Sequence, residues 1–307
     1  MPTLLVITGP TGVGKTELTL RLAEHCKCPI VSADSRQIYR EIPIGTAAPK
    51  ADELERVKHY FVGTKSVTED YNAGAYERDC LALLEQLQAK AENNPFAILT
   101  GGSMMYIDAV CKGFDDIPTI PTSCRENVRE MYAAGGLEKL QQEVQRLDPD
   151  YWQQVDSCNP QRLMHCIEVT LAAGKPYSSF RRQNRVKRDF NILKIALQRP
   201  REELYQRINA RVEQMLAEGL EAEARKVYPL KKYNSLQTVG YRELFDYFDG
   251  KTTWEEAIRL IKQNTRHYAK RQMTWFRADK TIKWLDANET YETQLDTITA
   301  WLRADGV

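Results

Sequence analysis

The chain has 307 residues, with 43 Lys and Arg against 42 Asp and Glu and a net charge of +1. This balance excludes a uniformly basic surface, so any surface for nucleic acid must come from local clusters of basic residues. No apolar stretch reaches the roughly 18 residues that a transmembrane helix needs, so we expect no membrane-spanning segment. The seven cysteines are scattered and form no C-x-x-C pair, and the N-terminus lacks a secretory pattern. We therefore expect a cytoplasmic protein with reduced thiols.

The N-terminal segment predicts a strand, a glycine loop and a helix in that order. The apolar run at residues 4–7 is typical of a strand, and Thr16 to Ala23 have the periodicity of a helix. The loop between them matches G-x-x-x-x-G-K-[ST] at every fixed position with Gly9, Pro10, Thr11, Gly12, Val13, Gly14, Lys15 and Thr16. In this context the backbone N–H groups surround an anion, Lys15 adds positive charge and Thr16 can bind Mg²⁺. We predict a site for a diphosphate or triphosphate; a plain turn that matches by chance is the alternative.

Residues 3 to about 112 alternate short apolar runs with helical patterns. Alternation of this kind predicts an α/β fold, here a P-loop NTPase-like parallel sheet flanked by helices. The candidate strands are Thr3–Thr8, Ile30–Ser32, Tyr60–Val62, Phe96–Thr100 and, later in the chain, Asn191–Leu197.

Residues 113–188 carry helical periodicity only, interrupted by prolines and glycines. One helix of this block is bracketed by Pro160 in its first turn and Gly174 after its last turn. We predict an all-helical insertion domain at 113–188, between two parts of the catalytic core at 1–112 and 189–307. The remainder of the chain predicts helices alone, beginning with Arg201–Gly219.

The position of acidic residues separates two kinds of chemistry. An NTPase uses an acid at the end of a core strand to order Mg²⁺ and the attacking water, but Phe96–Thr100 is followed by Gly101 and no carboxylate. The acid that does follow a core strand is Asp34. Because the carboxyl ends of parallel strands form the ligand crevice, Asp34 is expected beside the glycine loop, where it could accept a proton or orient an amine. A helix N-cap role for Asp34 or Ser35 is the alternative.

Six motifs occur in an order that matches a known family. They are GPTGVGKT (9–16), SADSRQIYR (32–40), TGGSMMYI (100–107), NPQRL (159–163), TVGYRE (238–243) and YAKRQMTWFR (268–277). With them, almost the whole chain resembles the bacterial tRNA dimethylallyltransferases, also called isopentenyl-diphosphate:tRNA transferases. The resemblance implies that the glycine loop binds the diphosphate of dimethylallyl diphosphate rather than ATP. It also implies that the acceptor is N6 of the adenosine 3′ of the anticodon, within the anticodon stem-loop of a tRNA.

The resemblance implies which groups stabilise the leaving diphosphate. Backbone amides of the loop, Lys15, Thr16 with Mg²⁺ and an arginine would carry this role. Arg207 and Arg211 lie at i and i+4 of a predicted helix, so both project from one side of it. The sequence does not choose between them, and a solvated face or a pair with Glu203 is the alternative for each.

On the acceptor side, the resemblance gives Asp34 the role of hydrogen-bonding the exocyclic amine and then accepting its proton. Thr11 could hydrogen-bond the bridging oxygen of the diphosphate or the acceptor base. Both assignments agree with the expected placement of Asp34 beside the loop.

Basic residues cluster at 181–188, with five Lys or Arg, and at 262–283, with seven interleaved with aromatic residues. Such clusters neutralise phosphates and offer stacking surfaces for unpaired bases, although a solvated face is the common alternative. Pro160 could equally begin a helix, Leu163 could be core and Gly240 could serve a turn. The residues that the resemblance assigns to tRNA binding are Asp34, Ser35, Arg36, Gln37, Thr100, Arg125, Pro160, Gln161, Arg162, Leu163, Met164, Gln237, Thr238, Val239, Gly240, Tyr241, Arg242, Lys270, Arg271, Gln272, Met273, Thr274, Trp275, Phe276 and Arg277.

Other functions stay open from the sequence alone. A small-molecule kinase or NTPase on the same fold predicts phosphate transfer from ATP, and the missing acid counts against it. A prenyltransferase for free adenine nucleotides would not need the insertion or the basic C-terminal segment. A non-enzymatic RNA-binding protein would not need Lys15, Thr16 and Asp34 together. A monomer is the simplest expectation.

Overall fold

The structure is a computed structural model and describes residues 1–92, 95–113, 120–181 and 186–304. The chain divides into two compact units, one made of Met1–Cys111 and Lys187–Val307 and the other of Lys112–Val186. The boundaries expected from the sequence are 112/113 and 188/189. Among the described residues, none belongs to a helix long and apolar enough to cross a membrane.

The first unit is built on a parallel sheet, which confirms the predicted α/β fold. Within the described residues its strands are β1 (Thr3–Thr8), β2 (Ile30–Ser32), β3 (His59–Tyr60), β4 (Ala97–Gly101), β5 (Asn191–Gln198) and β6 (Lys283–Asp286). They lie in the order β3-β2-β4-β1-β5-β6, and every neighbouring pair is parallel. Every residue of the central strand β1 is buried. The carboxyl ends of all six strands therefore share one edge of the sheet, where ligands bind in folds of this kind.

Strand β6 corrects the expectation that only helices follow residue 201. It pairs with β5 through Ile195–Lys283 to Gln198–Asp286 at the edge of the sheet. Only Leu285 of its four residues is buried. A four-residue edge strand with charged residues at both ends leaves too little hydrophobic alternation for the sequence to reveal it.

The helices of the described residues are numbered in chain order. They are α1 (Lys15–Cys26), α2 (Pro43–Thr46), α3 (Ala51–Arg56), α4 (Ala73–Ala89), α5 (Met104–Lys112), α6 (Thr122–Leu147), α7 (Pro149–Trp152), α8 (Pro160–Ala173), α9 (Arg201–Ala217), α10 (Leu220–Val227), α11 (Tyr241–Phe248), α12 (Trp254–Ala278) and α13 (Tyr291–Ala304). Short 3₁₀ helices lie at Tyr177–Phe180, Tyr228–Leu230 and Asn234–Leu236.

Helices α9 and α12 bring side chains to the ligand edge of the sheet. In α9, Leu204, Ile208 and Val212 recur every four residues and are buried on one face of the helix. In α12, Ala269, Gln272 and Phe276 are buried along one face. The residues between them point outward, so this one helix has a packed side and a solvent-exposed basic side.

The second unit is helical in its described residues. Helices α6 and α8 pack around a core that includes Val128, Leu140, Leu163 and Ile167. Helix α6 is broken at Gly136, whose φ of 60° and ψ of −156° are non-helical. As predicted for α8, Pro160 lies in the first turn, and Gly174 ends the helix in the left-handed conformation. The predicted basic cluster at 181–188 lies partly outside the described residues.

A buried ion pair connects the residue after α12 to strand β5 of the sheet. Lys194 Nζ of β5 lies 2.9 Å from Asp279 Oδ2, and both side chains are almost fully buried. Asp279 Oδ1 also accepts hydrogen bonds from the backbone N–H and hydroxyl of Thr281. Burial alone raises the pKa of the Asp279 carboxyl, but the hydrogen bonds from Thr281 and Lys194 outweigh it and hold that pKa well below 3.8.

We expect Asp279→Asn to lower the free energy of unfolding by about 3 kcal/mol at pH 7, because it leaves the Lys194 ammonium buried without its counter-charge. Urea unfolding measures the loss. The double variant Lys194→Met/Asp279→Asn should recover most of it. The difference in free energy of unfolding between wild type and Asp279→Asn should become smaller as the pH falls below 3.8. The lowered pKa of Asp279 contributes stability only while its carboxyl is ionised. A double variant as unstable as Asp279→Asn would contradict this account.

Candidate active site

The glycine loop wraps around the start of α1. Gly9 has a φ of 142°, and a Cβ there would lie 2.8 Å from the carbonyl oxygen of Leu197, so β5 leaves no room for a side chain. Gly14 ends the loop in the left-handed conformation, with a φ of 107°. The Lys15 ammonium turns back into the loop and donates to the carbonyl oxygens of Gly9 at 2.9 Å and Pro10 at 3.0 Å. The loop thus places its lysine where an anion would bind.

The Lys15 ammonium interacts electrostatically with Arg211 and Asp34. Burial and the positive charge of Arg211 together lower the pKa of Lys15 from 10.5 to about 7, while the carboxylate of Asp34 acts in the opposite sense. Burial likewise lowers the pKa of Arg211, again opposed by Asp34. Two cations and one acid therefore share this site, and a bound diphosphate would supply the negative charge that favours the protonated lysine.

Asp34 follows β2 and begins a turn rather than a helix, so the N-cap alternative does not apply. Its Oδ1 accepts hydrogen bonds from the backbone N–H groups of Arg36 at 2.9 Å and Gln37 at 3.2 Å. These bonds fix the turn, as a capping residue does. Among the described residues none donates a hydrogen bond to Oδ2. One oxygen therefore orients the side chain while the other remains available to a substrate.

The end of β4 holds the Asp34 turn in place. A Cβ on Gly101 would lie 2.2 Å from the carbonyl oxygen of Ala33, so only glycine permits the two backbones to approach this closely. Ser103 Oγ accepts a hydrogen bond from the Ser35 N–H at 2.8 Å. Thr100 is bonded inward, to the carbonyl oxygen of Ile7 at 3.1 Å. Residues 100–103 therefore pack against the turn that contains Asp34 and fix its position.

The two arginines of α9 occupy different positions. Arg207 is exposed, and its Nε donates to the carbonyl oxygen of Gly12 at 2.9 Å. Arg211, one turn later, is partly buried and interacts electrostatically with Lys15 and Asp34. Arg207 thus lies on the outer side of the glycine loop, whereas Arg211 lies between the loop and Asp34.

Helix α12 closes the site from the other side. Gln272 Oε1 accepts a hydrogen bond from the Thr11 N–H at 2.9 Å, and its Nε2 donates to the carbonyl oxygen of Gly102 at 2.8 Å. The hydroxyl of Tyr268 also donates to Gly102, at 3.2 Å. Burial raises the pKa of Tyr268 to about 12, with a further contribution from Asp34. Tyr268 therefore remains protonated and can act as a hydrogen-bond donor.

Two cavities meet at these residues. The larger has a volume of about 740 Å³ and is lined by the glycine loop, Lys15, Thr16 and Arg207. The smaller has a volume of about 390 Å³. Both are lined by Thr11, Asp34, Arg211, Met215 and Tyr268. Two ligands that enter from the two cavities would therefore meet at Asp34, Thr11 and Arg211.

The smaller cavity brings together three of the segments that the resemblance assigns to tRNA. Its lining includes Ser35, Arg36, Gln237, Thr238, Val239, Gly240, Arg242 and Arg271. Gln37 and Thr100 line the larger cavity instead. The segments around 35, 240 and 271 are far apart in the chain, and the fold gathers them around one opening.

Other predicted contact residues have buried side chains. Leu163 and Tyr241 are fully buried, Gln272 and Phe276 are almost so, and Met164 is 8% exposed. Tyr241 donates a hydrogen bond to Glu223 at 2.5 Å, and Glu223 also accepts from the backbone of α2. These five side chains lie on the inner faces of α8, α11 and α12, and Gln272 also lines the larger cavity. Their contact with tRNA stays a prediction.

The remaining predicted residues lie at or near the surface. Gln161 and Arg162 of α8 are exposed, and Arg125 and Pro160 are half-buried. On α12, Lys270, Arg271, Thr274, Trp275 and Arg277 are exposed and Met273 is half-buried. Trp275 Nε1 donates to Asp108 Oδ2 at 2.9 Å, so the indole ring is held in one orientation. The binding roles of these residues stay predictions.

Arg199 is a site residue that the sequence reasoning missed. It follows β5 directly, and its Nε donates to the carbonyl oxygen of Val13 at 2.8 Å. A second nitrogen donates to the carbonyl oxygen of Ala287, after β6, at 2.7 Å. The strand-end rule that selected Asp34 applies equally to Arg199, and it would have found this residue.

Comparisons with known proteins identify relatives along most of the chain. The model of the IPP transferase family matches residues 37–279. The tRNA dimethylallyltransferase 1 of Bacteroides thetaiotaomicron is 53% identical over 292 residues, which cover 95% of this chain and 94% of the relative. The tRNA dimethylallyltransferase of Flavobacterium johnsoniae is 48% identical over 292 residues, 93% of this chain and 94% of the relative.

Solved structures agree with these sequence matches. The full-length tRNA isopentenylpyrophosphate transferase of Bacillus halodurans superposes with a TM-score of 0.72 at 30% identity, over 99% of this chain and 96% of the other. A eukaryotic dimethylallyltransferase described as acting on tRNA superposes with a TM-score of 0.79 at 25% identity, over 99% of this chain and 78% of the other. Because the family model and relatives about half identical both extend over most of its length, the chain belongs to the IPP transferase family.

Proposed function

We propose that this protein transfers the dimethylallyl group of dimethylallyl diphosphate to N6 of the adenosine 3′-adjacent to the anticodon of a tRNA. The names of its relatives support this activity, and one structural observation carries it. A cavity with a diphosphate-binding loop and a cavity lined by polar and basic segments share Thr11, Asp34 and Arg211. That arrangement suits a reaction between a diphosphate and a second, separately bound substrate.

The larger cavity accounts for the leaving group. In the reaction the bond between C1 of the dimethylallyl group and the diphosphate oxygen breaks, and the electron pair leaves with the diphosphate. Loop amides, Lys15 and Arg211 line this cavity, and we assign them to the position where that negative charge grows, with Arg207 at the outer side of the loop. Cationic and N–H groups fixed in advance stabilise such charge more in the transition state than in the bound substrate.

Magnesium fits this side of the site as a partner of the diphosphate. Thr16 lines the larger cavity and is exposed to it. No cluster of three or more His, Cys, Asp or Glu side chains occurs among the described residues. Mg²⁺ binds through one or two protein oxygens together with substrate phosphates and waters, so the Thr16 hydroxyl would suffice to hold it. The ion would neutralise charge on the diphosphate.

The smaller cavity accounts for the acceptor. The exocyclic N6 forms the new bond to C1, and one of its protons passes to Asp34 Oδ2, the oxygen that the turn leaves available. An adenine in an anticodon loop must turn out of its stack to reach this point. The exposed residues Arg271, Lys270, Trp275 and Arg277 on α12 give phosphate and stacking contacts beside that opening.

Two alternative activities are less well supported. A kinase or NTPase would need a carboxylate at the end of a central strand, and β4 ends at Gly101. A transferase for free adenine nucleotides would not use the exposed basic face of α12. A cytoplasmic, monomeric enzyme is part of this proposal.

The first test measures transfer of label from dimethylallyl diphosphate to unmodified tRNA with adenosine 3′ of the anticodon, with AMP and ATP as alternative acceptors. We expect label in tRNA alone. Asp34→Asn should reduce the rate by about 10²–10⁴-fold, because the variant keeps the size of the side chain but loses the proton acceptor. Asp296→Asn, on the exposed face of α13, is the matched control and should retain full activity. Label on AMP, or phosphate release from ATP without prenyl transfer, would contradict the proposal.

The second test separates Arg207 from Arg211. We expect Arg207→Gln to raise KM for dimethylallyl diphosphate about tenfold with little change in kcat, because Arg207 contacts the outer side of the loop. Arg211→Gln should lower kcat by about 10²-fold, since this guanidinium lies where the leaving group, Lys15 and Asp34 meet. Steady-state kinetics with saturating tRNA measures both.

Arg201→Gln is the control for these two variants, because Arg201 is exposed on the same helix and stacks on Tyr205 away from the cavities. It should behave as wild type. A larger loss of kcat in Arg207→Gln than in Arg211→Gln would overturn the assignment.

A further inference from the structure

Gln272 lies on the inner face of α12, and both ends of its amide are engaged. It is 1% exposed. Its Oε1 accepts from the N–H of Thr11 in the glycine loop, and its Nε2 donates to the carbonyl oxygen of Gly102 after β4. Each partner can bond only one end of the amide, so the orientation of the side chain is fixed. A surface helix thereby contacts the two loops that carry the reacting groups.

The contact with Gly102 is close and is shared. A Cβ on Gly102 would lie 2.4 Å from Gln272 Nε2, so a side chain at that position would displace the amide. Tyr268, one turn earlier on α12, donates to the same carbonyl oxygen. Two side chains of one helix therefore hold a single backbone group.

From Gly102 a short path of hydrogen bonds leads to Asp34. The next residue, Ser103, accepts from the N–H of Ser35 at 2.8 Å and donates to the Ser35 hydroxyl at 3.0 Å. Ser35 follows Asp34 directly. Gln272 is thus the one side chain of α12, among the described residues, that bonds both to the glycine loop and to the segment supporting Asp34.

We propose that Gln272 is a positioning residue for prenyl transfer. It sets the separation between Thr11, beside the bound diphosphate, and Asp34, beside the acceptor amine. Because Gln272 belongs to α12, the position of this helix also affects that separation. The preceding residue of α12, Arg271, lines the smaller cavity. The inference rests on the proposed function, because it assumes two substrates that must meet. It assigns to a buried amide a role that differs from direct contact with tRNA.

A misplacement of about 1 Å between reacting groups can cost 10²-fold in rate. We therefore expect Gln272→Met, which keeps the length of the side chain and removes both hydrogen bonds, to lower kcat about 10²-fold. The dissociation constant for dimethylallyl diphosphate, measured by calorimetry without tRNA, should change less than about threefold, because Lys15 and the later loop amides remain.

The variant Gln272→Glu adds a second measurement, the pH dependence of kcat, which a purely packing role would not change. An ionised glutamate would accept from Thr11 but would oppose the carbonyl oxygen of Gly102, whereas a protonated one can donate to Gly102 as the amide does. We expect kcat of this variant to rise as the pH is lowered, relative to wild type at the same pH. Gln272→Met should show no such relative rise.

Gln294→Met is the matched control. Gln294 is also buried, and its Nε2 donates to the carbonyl oxygen of Asp286 at 2.9 Å, outside the lining of both cavities. It should lower the melting temperature, because it also removes a buried hydrogen bond, yet leave kcat unchanged.

The results distinguish a failure of the proposed function from a failure of the positioning role of Gln272. If wild type transfers no label to tRNA, the proposed function fails. If wild type is active and Gln272→Met matches it in kcat, the positioning role fails. A rate loss in Gln294→Met as large as that in Gln272→Met, or a loss in Gln272→Glu that lower pH does not relieve, would also overturn it.

Discussion

The close approach of β4 to the turn after β2 is the constraint on which the site depends. Gly101 meets the backbone of Ala33 at a distance that admits no side chain on Gly101. With β1 and β2 on either side of β4, this contact places Asp34 beside the glycine loop. Asp34 and the glycine loop therefore follow directly from the ends of parallel strands, where ligands bind in folds of this kind.

The electrostatics of the site follow from that placement. Lys15, Arg211 and Asp34 interact electrostatically, and burial lowers the pKa of both Lys15 and Arg211. A site with two cations and one acid has an excess of positive charge, which the diphosphate substrate can balance. In the proposed function the same acid lies beside the cations that hold the leaving group, so charge separation during the reaction would occur within one small volume.

Sequence reasoning located the glycine loop, Asp34 and most of the sheet because each has a local pattern. The loop has fixed spacings, and Asp34 follows a buried strand. Strand β6 has no such pattern, and Arg199 contacts Val13 only because β5 ends beside the loop. The segments near residues 35, 240 and 271 come together only in the folded chain. Their proximity therefore cannot be read from any local sequence pattern.

The burial of Tyr241, Gln272 and Phe276 within motifs predicted to contact tRNA has a common physical cause. A motif of consecutive residues on a helix cannot face one way, because successive side chains are about 100° apart. In α12 the basic and aromatic residues Arg271 and Trp275 point outward, while Gln272 and Phe276 point inward.

Such a segment therefore presents two surfaces. In the proposed function the outer residues meet tRNA, and the inner ones determine where the helix stands relative to Thr11 and Asp34. A helix with both tasks could not shift for one of them without changing the other. The proposed function thus makes recognition of the acceptor and geometry of the reaction properties of the same element.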